Sequence, residues 1–391
     1  MINLAIAGKP NCGKSTFYSA ATMAPAEIAN YPFTTIDANK GVAYVRIDCP
    51  CRELGIEGCK ACINGVRFIQ IGLIDVAGLV PDAHKGKGLG NKFLDNLREA
   101  DAILHIIDAS GGTDEEGNPV DPGSHDPLND IGFIEHEMTM WVYGLLEKNW
   151  QRLQRSSQAR TFSITNAVAE QLAGLSVTEE DVVRAENDSG VNLKNCTDDE
   201  LVKFCESLVS ASKPFLVIAN KSDCASDEVI AKLKDEEKIS IASAAGELAI
   251  RKATEAGFTS YVPGDSDFTI LNPEKLSKAQ NAGLEAIRGF MKKAGGTGVQ
   301  QTINSAVFDL LDRIVVFPVE DESKYCDGQD RILPDAFLMK KGSNPHDLAY
   351  MVHTDIGDGF LYAVDAKTKM RIKETHELKD GDIIKIVSTK K

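Results

Sequence analysis

No apolar run in this chain reaches the roughly 18 residues that a membrane-crossing helix requires. The N-terminus passes directly into a strand-and-turn pattern, without the basic and hydrophobic regions of a signal peptide. The expectation is a cytoplasmic protein with no membrane partner. Positive charge is also scarce: 43 Lys and Arg stand against 58 Asp and Glu, a net charge of −15. That excludes a globally basic nucleic-acid binder and leaves only a local basic patch for RNA. Nine cysteines in a chain without an export segment read as reduced thiols or metal ligands, not as a disulfide framework. What is plentiful is apolar material, 43% of 391 residues, enough for two or three domains with packed cores.

The most informative stretch is Gly8-Lys9-Pro10-Asn11-Cys12-Gly13-Lys14-Ser15, which fits GxxxxGK[ST] and follows the strand-like run Ile2 to Ala7. Gly8 and Gly13 let the backbone turn so that the N–H groups of the loop, up to Thr16, converge on phosphate oxygens. Lys14 then reaches the β- and γ-phosphates, and Ser15 can ligate Mg²⁺. A helix starting at Lys14 aims its positive end at the same anion.

Further motifs follow in order. The apolar run Phe68 to Ile74 ends in Asp75-Val76-Ala77-Gly78, a DxxG in which Asp75 can hold Mg²⁺ through water and Gly78 can offer its N–H to a γ-phosphate. Between the two motifs, Asn30 to Ile36 contains Thr34 and Thr35, suited to completing a Mg²⁺ shell and sensing the γ-phosphate. The strand pattern Lys213 to Ala219 delivers Asn220-Lys221-Ser222-Asp223. In this NKxD, Asp223 accepts guanine N–H groups that adenine lacks, Asn220 braces the loop and Lys221 covers the base. Lys238 to Ala242 then reads as a short strand before Ser243-Ala244-Ala245, whose N–H groups can meet the guanine O6.

These motifs, with the passages "NYPFTTIDANKGVAYV", "DVAGLVPDAHKGKGLGNKFLDNLREADAILHIIDA", "HDPLNDIGFIEHEM" and "FLMKKGSNPHDLAYMVHTDIGDGFLYAV", resemble the YchF branch of the Obg-related GTPases, most closely its archaeal-type subfamily. The resemblance implies an α/β P-loop NTPase fold of the TRAFAC GTPase type, with a helical insertion domain and a C-terminal β-grasp (TGS) domain. It implies GTP with Mg²⁺, makes Thr35 the switch threonine and suggests contact with the ribosome or RNA. Core-branch relatives lose NKxD and tend to use ATP, whereas Asn220, Lys221 and Asp223 are kept here, so GTP is expected. Leu79 and Val80 stand where many GTPases carry a water-orienting glutamine, as in hydrophobic-substituted GTPases. Asn11 occupies the P-loop position that in K⁺-activated GTPases helps hold a monovalent cation. His84 and His125 lie in segments expected to border the γ-phosphate. Two alternatives stay open: an ATP-preferring, redox- or metal-responsive ATPase, and a nucleotide-stabilised binding module without significant turnover.

Cys49-Pro50-Cys51 and Cys59-Lys60-Ala61-Cys62 form CxC and CxxC arms whose thiolates can surround one Zn²⁺ or serve an iron–sulfur centre. Cys12, beside Lys14 at a helix start, is expected to ionise and oxidise readily. About a hundred residues separate the strand ending near Asp108 from that ending near Asn220. The helical pattern of Ile134, Met138, Trp141, Val142 and Leu145, and the capped starts at Thr178 and Thr197, mark the inserted part. The expected domains are thus 1–134 with 213–312 for the GTPase, 135–212 for the insertion and 313–391 for the TGS-like domain. In that last domain Lys340, Lys341, Lys367, Lys369, Arg371 and Lys373 supply local positive charge.

Overall fold

Strand β1 (Asn3–Ala7) opens the computed structural model, which describes residues 1–23, 40–79, 81–85, 97, 99–159, 161–236 and 239–390. Thr34, Thr35, Val80 and Lys238 lie outside the described residues. With β2 (Lys40–Asp48), β3 (Val66–Asp75), β4 (Ala102–Asp108), β5 (Phe215–Asn220) and β6 (Ile239–Ile241), β1 forms a six-stranded sheet in the order β2-β3-β1-β4-β5-β6. β1 pairs in parallel with β3 and β4, β4 with β5, and β5 with β6. Every residue of β4 is buried, as a parallel strand covered on both faces requires. The register sets Ile6 beside Asp75, Ala7 beside His105 and Asp108 beside Asn220. The motif-bearing strand ends therefore share one carboxyl edge, where open α/β sheets bind ligands.

Helix α1 (Lys14–Thr22) leaves the Gly-rich loop at once, and α2 (Pro50–Glu53) is a single turn. The insertion starts with the 24-residue α3 (Phe133–Ser156), whose buried stripe is Ile134, Met138, Val142, Leu146, Trp150 and Leu153. Trp141 and Leu145, expected on that stripe, flank it half-buried. A short α4 (Ile164–Gln171) follows, then α5 (Glu179–Ser189) and α6 (Asp198–Ser212). The last two begin where expected, with capping boxes pairing Thr178 with Asp181 and Thr197 with Glu200. Val168, Val182, Phe204 and Leu208 share one continuous core with Ile74, Leu79 and Ile103, so these helices cover one sheet face. Ile107, Val217, Ala219 and Leu233 form a core on α7 (Asp227–Asp235).

After α8 (Ala244–Glu255) a two-stranded ribbon of β7 (Thr259–Ser260) and β8 (Thr269–Ile270) precedes α9 (Lys278–Ala294). The run Pro273 to Ala294 reads as one helix in the sequence, but α9 begins only after Ser277, whose capping box with Gln280 satisfies two backbone N–H groups; Pro273–Lys275 is a separate turn. Gln300 to Leu311 also reads as one helix in the sequence but divides into α10 (Val299–Ser305) and a wider π-helical turn, Ala306–Leu310.

Two compact units make up the chain, one holding Gly72–Thr302 with the N-terminal segment, the other Tyr44–Ile71 with Ile303–Lys391. The second unit contains a mixed sheet of β9 (Arg313–Val319), β10 (Phe337–Lys340), β11 (Phe360–Asp365), β12 (Met370–Ile372) and β13 (Asp382–Ser388), in the order β10-β9-β13-β11-β12. Only β9 and β13 pair in parallel. Helix α11 (Pro345–Val352), capped by Asn344, buries Leu348 against Val316, Met339, Ala363 and Ile384, in the β-grasp manner expected. The one-turn α12 (Thr354–Asp358) leads into β11. Among the described residues no helix is long and apolar enough to cross a membrane.

Candidate nucleotide site

The phosphate loop is shaped by what a side chain would strike. Gly13 has φ +98°, and a Cβ there would fall 2.3 Å from Asn220 Nδ2; at Gly8 it would fall 2.4 Å from the Ile106 carbonyl oxygen. Helix α1 carries no acidic residue in its first turn, so its positive end is left for an anion. Lys14 is buried and its Nζ donates to the Lys9 carbonyl at 2.7 Å, while Ser15 is exposed and Thr16 half-buried. Cys12 departs from expectation. It is fully buried, its Sγ donates to the Lys9 carbonyl at 3.1 Å, and burial pushes the thiol up in spite of Lys14. Desolvation outweighs the neighbouring charge, so this is not an activated thiol.

Asp75 ends β3 half-buried, its carboxyl pushed up by burial and drawn back by Lys14. A Cβ on Gly78 would lie 3.1 Å from Lys14 Nζ and 3.2 Å from Pro10 N, so bare backbone faces the loop here. Leu79 is buried in the core and its N–H donates to the Gly8 carbonyl at 3.2 Å; it orients no water. Beyond it, one carboxylate on α3 gathers the chain. Glu137 accepts the Asp82 N–H at 2.8 Å, the His84 N–H at 3.0 Å and His84 Nδ1 at 2.7 Å. His84 is thereby committed to Glu137, with its ring edge-on to His136.

The segment after β4 wraps the loop from the other side. Buried Asp108 accepts the Ser110 N–H at 3.1 Å, the Ser110 hydroxyl at 2.5 Å, the Thr113 hydroxyl at 3.2 Å and Lys221 Nζ at 2.8 Å. Lys9 Nζ reaches the Thr113 carbonyl at 3.0 Å and Asp130 at 2.6 Å, and His125 Nε2 meets the other Asp130 oxygen at 2.9 Å. Asn11, at φ +60°, donates from Nδ2 to the Gly117 carbonyl at 2.9 Å. His105 in β4 is buried, and desolvation, helped by Lys14 and Lys9, lowers its pKa to about 3; it is a neutral imidazole.

In the NKxD segment, Asn220 donates from Nδ2 to the Cys12 carbonyl at 3.1 Å and accepts the Ala244 N–H at 3.0 Å. Lys221, at φ +59°, adds a bond to the Asn11 carbonyl at 2.7 Å. Asp223 is exposed. The Ser243 N–H donates to the Thr297 carbonyl at 2.8 Å, so of the three N–H groups expected to meet a base, those of Ser243 and Ala244 are engaged within the protein. Thr297 is itself fixed by Glu247, which accepts its hydroxyl at 2.5 Å and that of Tyr261 at 2.7 Å. Burial raises the Glu247 pKa, opposed by Arg251.

The structure thus brings Gly8 to Thr16, Asp75, Gly78, Asn220 and Lys221 around one loop; Thr35 lies outside the described residues. Sequence reasoning missed Asp108, Asp130, Glu137 and Glu247. The local hints were an acid in each of two apolar patterns, Asp108 at the end of a strand and Glu137 inside a helix stripe.

Residues 3–130 match the family described as 50S ribosome-binding GTPase, 218–321 the G4 motif-containing domain of YGR210-like Obg-like GTPases, and 329–388 the TGS domain. An uncharacterized GTP-binding protein of Methanocaldococcus jannaschii is 48% identical, with all of both chains covered. The ribosome-binding ATPase YchF of Bacillus subtilis is 30% identical, over 92% of this chain and 86% of that one. The crystal structure of a GTP-binding protein from Pyrococcus horikoshii is similar with a TM-score of 0.77 and 39% identity, covering 99% of this chain and 100% of that one.

Proposed function

Because the chain belongs to the YchF family of GTPases, we propose that it is a Mg²⁺-dependent GTP hydrolase acting at the ribosome, with its GTPase domain in 1–134 and 213–312, a helical insertion in 135–212 and a TGS domain in 313–391. The observation that carries the choice of nucleotide is the base-reading end: Asp223 is exposed, while Asn220 and Lys221 are bonded to carbonyls of the phosphate loop. A carboxylate accepts two guanine N–H groups; against adenine it is left unpaired, at a cost of about 1–3 kcal/mol or more, at least tenfold in affinity. The Ala245 N–H is the one of its three-residue run left for the guanine O6.

The loop N–H groups and Lys14 bind the β- and γ-phosphates, and the Gly78 N–H meets the γ-phosphate. Ser15 and Asp75 are oxygen donors of the kind a hard cation takes, exposed and half-buried beside the loop, and Thr35 would join them. Mg²⁺ held there supplies charge neutralisation to the phosphates. Leu79 is buried where many GTPases carry a glutamine, so that position orients no water, and slow intrinsic turnover is expected. Asn11 keeps its Oδ1 for a cation, since its Nδ2 is spent on Gly117. K⁺ there would supply the positive charge that an arginine finger supplies elsewhere.

Recruitment to RNA falls to the TGS domain, where Arg371 stacks on Tyr362 at 3.9 Å and Lys369 lies over Tyr325 at 4.8 Å. The deciding measurement is hydrolysis of GTP and ATP in K⁺ and in Na⁺, with and without ribosomes. GTP turnover that rises with K⁺ and ribosomes is expected; tighter binding of ATP than of GTP would sink the assignment.

A further inference from the structure

Four thiols of the second unit lie together and have no part in the nucleotide site. Cys49 and Cys51 bracket the start of α2, and Cys59 and Cys62 sit in the turn before β3. Their Sγ atoms all lie within 4.8 Å of one another, Cys49 to Cys59 at 3.9 Å and Cys51 to Cys62 at 3.6 Å. Bonds of about 2.3 Å to one tetrahedral Zn²⁺ would hold sulfurs roughly 3.8 Å apart. A disulfide needs about 2.05 Å, so the spacing is that of a single-ion cage and not of two cross-links. A multi-iron cluster would hold its thiolates farther apart.

Arg67, buried near the start of β3, is fixed by the Leu333 carbonyl at 2.5 Å and the Pro334 carbonyl at 2.9 Å, which ties this segment to the C-terminal residues of the same unit. Cys49 and Cys51 are buried in one core with Val315, Phe317, Val319, Leu333 and Ile383. Four soft sulfur ligands select Zn²⁺ over Mg²⁺ and leave no open coordination position, which makes such a site structural, not hydrolytic.

We propose that Cys49, Cys51, Cys59 and Cys62 bind one structural Zn²⁺ that fastens the Tyr44–Ile71 segment to the β9 and β13 side of the C-terminal sheet. The ion then completes a core that this segment and the β-grasp residues build jointly. Nothing in it depends on which nucleotide binds.

Full-length protein purified without chelator is expected to carry about one Zn²⁺ per chain, released when a mercurial titrates the thiols. Substitution by Co²⁺ should give the intense absorption of tetrahedral thiolate coordination. The Cys59→Ser, Cys62→Ser double variant should lose the metal and expose the C-terminal unit to protease, while its affinity for a fluorescent GTP analogue stays within about twofold of wild type. Zn²⁺ well below one equivalent with no Co²⁺ spectrum, an iron chromophore, or disulfides found by mass spectrometry would each overturn the proposal. Should the double variant fail to fold, metal content and the Co²⁺ spectrum of the wild-type protein decide alone.

Discussion

At Asp108, Ser110, Thr113 and Lys221 share one buried carboxylate. Asp108→Asn keeps the shape and removes the charge facing Lys221; GTP affinity should fall roughly tenfold, read by fluorescent-nucleotide titration. The consecutive motifs were legible because phosphate and guanine chemistry fixes residue types at fixed spacing. Asp108 was not, since its partner Lys221 lies 113 residues away and an apolar strand pattern says nothing of what its last carboxylate will meet. Cys12 shows the opposite failure: Lys14 beside it suggested a reactive thiol, and only the fold reveals its burial. Alkylation of the native protein followed by mass spectrometry should label exposed Cys224 and leave Cys12 protected. Glu247 gives a pH dependence. Burial raises its folded pKa above 4.5, so the folded state takes up the proton first, and stability from this group is lost as pH rises through the window above 4.5. Denaturation midpoints measured against pH should show a shallower fall in Glu247→Gln than in wild type.

Among elements, helices with strong caps were legible and those defined by tertiary packing were not. Thr178 and Thr197 announce α5 and α6 because each hydroxyl, with an acid three residues on, satisfies N–H groups that nothing else can. Replacing either threonine by alanine should cost about 1 kcal/mol in urea denaturation. The helix read from Pro273 starts after Ser277 instead, because the Ser277–Gln280 box satisfies two backbone N–H groups there. The stripe of α3 was legible at Ile134, Met138 and Val142, while Trp141 and Leu145 pack against its flank half-buried and Trp150 lies inside the core. Trp150→Ala should therefore destabilise by about 3–5 kcal/mol, with the Trp141 change far milder.

At the scale of the whole molecule, a net charge of −15 means that the proposed contact with RNA needs a restricted basic face. Lys369→Glu with Arg371→Glu should weaken co-sedimentation with ribosomes while GTP affinity in the absence of ribosomes is unchanged; equal sedimentation would place the contact elsewhere. Domain order was legible, because motifs and capped helices follow one another along the chain. The grouping of Tyr44–Ile71 with the C-terminal residues was not, since it rests on packing between segments more than two hundred residues apart, such as Ile69 in one core with Phe317. Lys221 and Asn220 carry a last consequence. The side chains proposed to frame the base are also the ones bonded to the Asn11 and Cys12 carbonyls, so on that proposal an ill-fitting base disturbs the loop that would hold the phosphates. Base fidelity should then appear in kcat at saturation as well as in Kd: a triphosphate with the wrong base, once bound, turns over more slowly.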